Sequence, residues 1–104
     1  MSKSIMHNKK DGTCYLCMML HDDYSRKTVL EEHHVMEGVA NRRLSEHYGL
    51  KVYLDPHHHR ISKTESPHQN RRINEIMHKK AQEAFEKQYS HEEWMKTFGK
   101  NYIF

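Results

Sequence analysis

The stretch VLEEHHVMEGVANRR, residues 29–43, decides how this chain is read, together with LDPHHHR at residues 54–60. Five of the eleven histidines fall in these two segments, as an adjacent pair and a triplet. Hydrophobic packing gives no reason to set imidazoles side by side, whereas metal binding, acid–base chemistry and phosphate contact each do. TVLEEHHVM (28–36) carries enough β-branched residues for a strand, which Gly38 breaks. Adjacent side chains on a strand point to opposite faces, so His33 and His34 are expected to do different jobs. One can bind a metal while the other reaches a water beside it. His59 and His68 are candidates to complete the metal shell, and Glu32 or Asp55 to orient the rings. The competing reading of any one histidine alone is plain surface exposure.

Working outward, LKVYL (50–54) reads as an apolar strand that Pro56 bars from continuing. NRRLSEHYGL (41–50) between the two strands reads as a short helix, with Asn41 as N-cap and Gly49 as its stop. RISKTESPHQN (60–70) reads as a polar loop without a core signal. From Arg71 the pattern turns helical, with Ile73, Ile76, Met77, Ala81, Ala84 and Phe85 at three- and four-residue steps. Ser90 with Glu93 has the form of a capping box and opens a second helix, closed near Gly99, with Trp94, Met95 and Phe98 on its apolar face. These apolar residues are expected to be core. In the first half, TCYLC (13–17) reads as a knuckle around a tight turn, and Met18–Leu20 as a short strand after it.

The expected organisation is a loose polar arm (1–12), a metal-binding core (13–70) and a helical extension (71–104) packed on the same domain. Its class is α+β. At 104 residues the chain is one domain. Apolar residues make up 36% of it, charged residues 30%, and the mean hydropathy is −1.06, so the core is thin and something besides burial is expected to hold the fold. A net charge of +3 permits contact with nucleic acid without demanding it. No segment approaches the roughly 18 apolar residues of a membrane span. The polar start, MSKSIMHNKKDG, has no apolar secretion core, so a cytoplasmic protein without membrane contact is expected.

The only two cysteines, Cys14 and Cys17, sit three positions apart, a spacing that in a reducing compartment suggests metal ligation or redox chemistry. Asp55-x-x-His58 offers a second pair of donors. Zinc takes four tetrahedral ligands, usually from two such pairs on opposed turns. The other reading is a residual knuckle with two free thiols.

The order CYLC, EEHHV, NRR, VYLDPHHH, PHQN resembles the HNH (ββα-metal) endonucleases, especially small phage-type members, over about residues 14–70. The resemblance implies a small ββα-metal core with a zinc-knuckle-like CxxC and C-terminal helices. It implies His34 as general base and Asn41 as the residue that orients the loop carrying it. His33, His59 and His68 become the ligands of a catalytic divalent ion (Mg, Mn or Ni), and Cys14, Cys17, Asp55 and His58 those of a structural Zn. Arg42, Arg43, Arg60, Arg71 and Arg72 flank the implied site and are candidates to hold DNA phosphates. Two departures stand out. Lys51 occupies the position, eight residues before His59, where the family usually has its Asn, and Asp55 stands where many relatives have Cys. A second expectation follows from them: a scaffold that has lost cleavage and works as a binding or inhibitor protein, for example a phage-encoded anti-CRISPR protein with a protein partner. A third is a zinc-only binding module.

Overall fold

A computed structural model describes residues 3–103. Mixed helix and a small antiparallel sheet make it α+β, with a radius of gyration of 13.1 Å, the value of one packed body of this length. The elements run α1 (Tyr15–His21), β1 (Glu31–His34), α2 (Val39–Tyr48), β2 (Lys51–Leu54), a π-helical turn (His57–Ile61), α3 (Arg71–Gln88) and α4 (His91–Phe98). Among the described residues no helix is long and apolar enough to cross a membrane.

The two strands pair as expected, with His33 opposite Val52 and His34 opposite Lys51. Helix α2 bridges them and ends at Gly49, which takes the left-handed conformation (φ 73°) that glycine adopts without a Cβ penalty. Its N-cap is Gly38, not Asn41, which lies inside the first turn. The helix is tied to the segment before it by Ser45, fully buried, whose hydroxyl donates to the Met36 carbonyl and accepts from the Met36 N–H, both at 3.1 Å.

The expected loose arm, whose residues 1 and 2 lie outside the described residues, is held down from residue 4 onward. Ser4 Oγ donates to the Lys51 carbonyl, Ile5 N–H to the Gly49 carbonyl (2.9 Å), and Tyr53 N–H to His7 Nδ1 (3.0 Å). The arm therefore covers the edge of β2 that β1 leaves open, which keeps that backbone from pairing with another chain. Met18–Leu20 belongs to a helix rather than a strand, because Cys14 caps it: its Sγ accepts the Cys17 N–H at 3.5 Å.

The C-terminal half follows the expected pattern. Asn70 Oδ1 accepts from Arg72 and Ile73 N–H and opens α3, and Ser90 Oγ accepts from Glu93 N–H and opens α4. Ile73, Met77, Ala81 and Phe85 form the buried stripe of α3, against which Trp94 is fully buried. Trp94 stacks near Phe98 (4.3 Å between centroids) and edge-on to Phe85 (5.4 Å), and its Nε1–H donates to the Lys100 carbonyl. Buried Gln82 ties down the tail: its amide donates to Asn101 Oδ1 (2.8 Å), and its oxygen accepts the Tyr102 N–H (2.7 Å).

A Cβ at Gly49 would collide with the Lys3 carbonyl oxygen and crowd Ile5 N at 3.1 Å, whereas one at Gly99, also left-handed (φ 75°), meets nothing within 4 Å. Gly49→Ala is expected to cost about 2–3 kcal/mol and Gly99→Ala about 1 kcal/mol. Thermal melts should show the first falling roughly 10 °C and the second less than half as far. Equal falls would mean the arm does not seal β2.

Candidate functional site

Two donor clusters lie on either side of the π-helical turn, which offers His58 to one and His59 to the other. The buried cluster joins Cys14, Cys17, Asp55 and His58. His58 Nδ1 lies 3.4 Å from Cys17 Sγ, 3.8 Å from Cys14 Sγ and 3.1 Å from Asp55 Oδ1, and Cys17 Sγ lies 3.4 Å from Asp55 Oδ2. Four donors this close could hold one metal ion. Both thiols are free and buried. Burial, then the neighbouring Cys14 and Asp55, push the Cys17 thiol well above its ordinary value, so a cation is what would let it ionise.

The sequence does not announce Glu65, yet its Oε1 lies 2.7 Å from His58 Nε2 and 2.8 Å from His21 Nε2. A carboxylate only accepts, so Glu65 fixes a proton on His58 Nε2, while Nδ1 faces both cysteines and Asp55 Oδ1. The π-helical turn itself is anchored by Asp55, whose Oδ1 accepts the His58 N–H at 2.8 Å.

The second cluster is His33, His59 and His68, from a strand, a turn and a loop. The His33 ring centroid lies 5.2 Å from that of His59 and 5.0 Å from that of His68, with His59 and His68 5.0 Å apart. His33 is 2% exposed, and its Nε2 is buried without a hydrogen-bond partner. Such a group normally costs about 1–3 kcal/mol. Burial, then the facing imidazoles of His68 and His59, hold its pKa down at about 3, so the ring is neutral with a lone pair to give. Glu31 Oε1 accepts from His59 Nδ1 at 2.9 Å, which leaves His59 Nε2 as the free donor atom. His68 is brought in by Ser66: its hydroxyl donates to the His59 carbonyl (2.7 Å) and accepts the His68 N–H (3.2 Å). The loop that carried no core signal thus contains a fully buried serine.

His34 points to the other face of β1 yet lines the same cleft of about 520 Å³ as His33, His59 and His68. Its Nε2 is bonded to Glu46 Oε1 at 3.0 Å, with Glu32 Oε1 3.4 Å away. Glu32, His34 and Glu46 are close enough to form a donor set, but a cation of the chain already sits among them. The ammonium of Lys51, a residue only 1% exposed, lies 2.8 Å from Glu46 Oε2 and 3.4 Å from Glu32 Oε2.

Among the expected phosphate contacts, Arg42 lines the histidine cleft, and Arg43 with Arg42 lines an adjoining depression. The Arg60 guanidinium is bound to Glu31 through Nε and Nη2 (3.1 and 3.0 Å). Arg71 pairs with Glu75 at the exposed start of α3, and Arg72 lies beside it. Asn41 does not line the cleft, and the residue facing His34 across the sheet is Lys51. The chain matches no family model, no curated protein and no solved structure.

The hydrogen bonds from Lys51 and then His34 hold the Glu46 carboxyl at about 2, below its ordinary 4.5. A depressed folded value means the unfolded chain binds the proton first. The stabilisation is present above about pH 4.5 and is lost as the pH falls towards 2. Urea unfolding between those limits should therefore steepen less with acid in Glu46→Gln than in the wild type. Parallel slopes would mean the carboxylate is not held.

Proposed function

We propose that this protein is a metal-dependent endonuclease of the HNH type that hydrolyses phosphodiester bonds in DNA, with a separate structural zinc. The observation that carries the reading is the convergence of three imidazoles from three segments, one of them the buried His33, whose Nε2 has no protein partner. A divalent cation bound by His33, His59 and His68 would supply positive charge to a phosphate oxygen and to the departing 3′ oxygen. Three protein ligands leave coordination positions for substrate and water, and imidazole suits Zn, Ni or Mn, with Mg tolerated where water and phosphate complete the shell.

His34 acts as the base. It lies next to a ligand in sequence but on the opposite face of the strand, so it lines the cleft without being drawn into the cluster. As the oxygen of water bonds to phosphorus, its proton passes to the imidazole, and the 3′ oxygen leaves with the electron pair of the broken P–O bond. Arg42 and Arg43, on the helix that borders the cleft, hold the flanking phosphates. Lys51, in place of the family's usual Asn, favours the second reading, a scaffold that has lost cleavage and binds a partner.

The spacing of the Cys14, Cys17, Asp55 and His58 donors supports zinc as the second ion. With Zn–S near 2.3 Å and Zn–N or Zn–O near 2.0 Å, the edges of a tetrahedron come to roughly 3.3–3.8 Å. The separations from His58 to its three neighbours and from Cys17 to Asp55 run from 3.1 to 3.8 Å, with His58 on one Asp55 oxygen and Cys17 on the other.

Plasmid nicking with Mg²⁺, Mn²⁺ or Ni²⁺ tests the nuclease. Cleavage that needs the metal and falls about 100-fold or more in His34→Ala is expected. An inert wild type, or a variant that cuts as well, removes the reading and leaves the binding scaffold. The zinc assignment stands on metal analysis. About one equivalent should co-purify and be lost in Cys17→Ser, and chelation should lower the melting temperature by roughly 15 °C, the effect of ~4 kcal/mol of linked binding.

A further inference from the structure

The side of β1 away from the histidine cluster carries an arrangement that metal binding does not explain. Lys51 is nearly fully buried on a four-residue strand, its ammonium 2.8 Å from one carboxylate oxygen of Glu46. The other oxygen of the same carboxylate lies 3.0 Å from His34 Nε2. Burying an ammonium is costly unless it is paired, and here the pairing fixes the plane of the carboxylate that meets the imidazole. Pairing of His34 directly opposite Lys51 in the sheet brings the two side chains to the same face. Glu46 comes from the last turn of α2, between Ser45, hydrogen-bonded to the Met36 backbone, and Gly49, which stops the helix. All three groups therefore stand on fixed backbone.

The chemistry of the contact settles which nitrogen carries the proton. Glu46 is ionised, since Lys51 and His34 hold its carboxyl near 2, and an ionised carboxylate can only accept. Nε2 of His34, 3.0 Å from that acceptor, therefore carries a proton. Among the described residues no hydrogen bond reaches His34 Nδ1, and the side chain is 15% exposed on the cleft.

We propose that Glu46, itself held by Lys51, is a positioning residue that locks His34 in the Nε2–H tautomer and leaves Nδ1 as the nitrogen that takes the proton from water. The lock deepens the nuclease reading, and its use in catalysis rests on that reading, whereas the tautomer itself does not. Glu32, 3.4 Å from Nε2 and 3.4 Å from the ammonium, neutralises Lys51 from the other side and is the weaker contact to His34.

The test is long-range ¹H–¹⁵N NMR of the zinc-loaded chain with Mg²⁺, in which His34 is assigned by the signal missing from His34→Ala. The wild type should give the Nε2–H pattern. Glu46→Leu combined with Lys51→Met exchanges the pair for apolar groups of similar size and avoids a stranded ammonium, so the fold is kept. In it the ring should become a mixture of tautomers, and kcat for nicking should fall about 10- to 100-fold with KM within a factor of two. Glu46→Gln combined with Lys51→Met keeps an amide oxygen that accepts the Nε2–H, and should restore both tautomer and most of kcat. A structural role alone would not follow that order. An Nδ1–H pattern in the wild type, or a pattern indifferent to the Leu/Met pair, overturns the proposal. A wild type that shows the expected tautomers but cuts nothing with any metal overturns the nuclease reading while the lock stands.

Discussion

The pleat of a four-residue strand is the constraint on which this molecule depends. Pairing of His33 with Val52 and His34 with Lys51 sends two adjacent imidazoles to opposite faces. One is buried against the rings of His59 and His68, and the other meets a carboxylate on a helix. Because the side-chain period of a strand is two, a slip of one residue would exchange the two histidines and bring Glu32 where Glu31 now holds His59. Two four-residue strands are too little to hold their own register. The register is held from outside, by the N-terminal arm along β2, by α2 through Ser45, and by the turn that begins at Pro56.

The two halves of the chain are stabilised by different physics. In the C-terminal half, Phe85, Trp94 and Phe98, joined by Tyr48 from α2, form an aromatic cluster that gives α3 and α4 a conventional core. In the first half, polar side chains make many of the connections. Ser66 joins the turn after β2 to the His68 loop, Glu65 reaches both His21 and His58, and Glu31 serves His59 and Arg60 at once. Such a network is rigid only if each member is satisfied, and beside it His33 Nε2, buried without a hydrogen-bond partner, belongs to a group of three imidazoles that could hold a metal ion.

What the sequence disclosed and what it concealed divide along the same line. The helices from Arg71 onward were legible because apolar spacing and the caps Asn70 and Ser90 act locally. The two strands and the stop at Gly49 were legible for the same reason. The cysteine and histidine donor sets were visible as residue types at short spacings. Their separation into two sites depends on the π-helical turn, which aims His58 and His59 apart. Local propensity misled where a side chain overrode it. Cys14 turned an expected strand into α1 by capping it, and Gly38 took the cap expected of Asn41. Lys51, Ser66 and Gln82 gave no warning at all, because a buried polar residue is recognised only by partners distant in sequence: Glu32 and Glu46, His59, and Asn101 with Tyr102.

The burial of both thiols has a practical corollary. With Cys14 fully covered and Cys17 only 4% exposed, an alkylating reagent can reach either sulfur only when the segment around α1 opens. The rate of labelling in native buffer is thus a clock for that excursion, set by the opening free energy rather than by the reagent. The polar half of the chain reports on its own breathing through a pair of atoms that are silent while it stays shut.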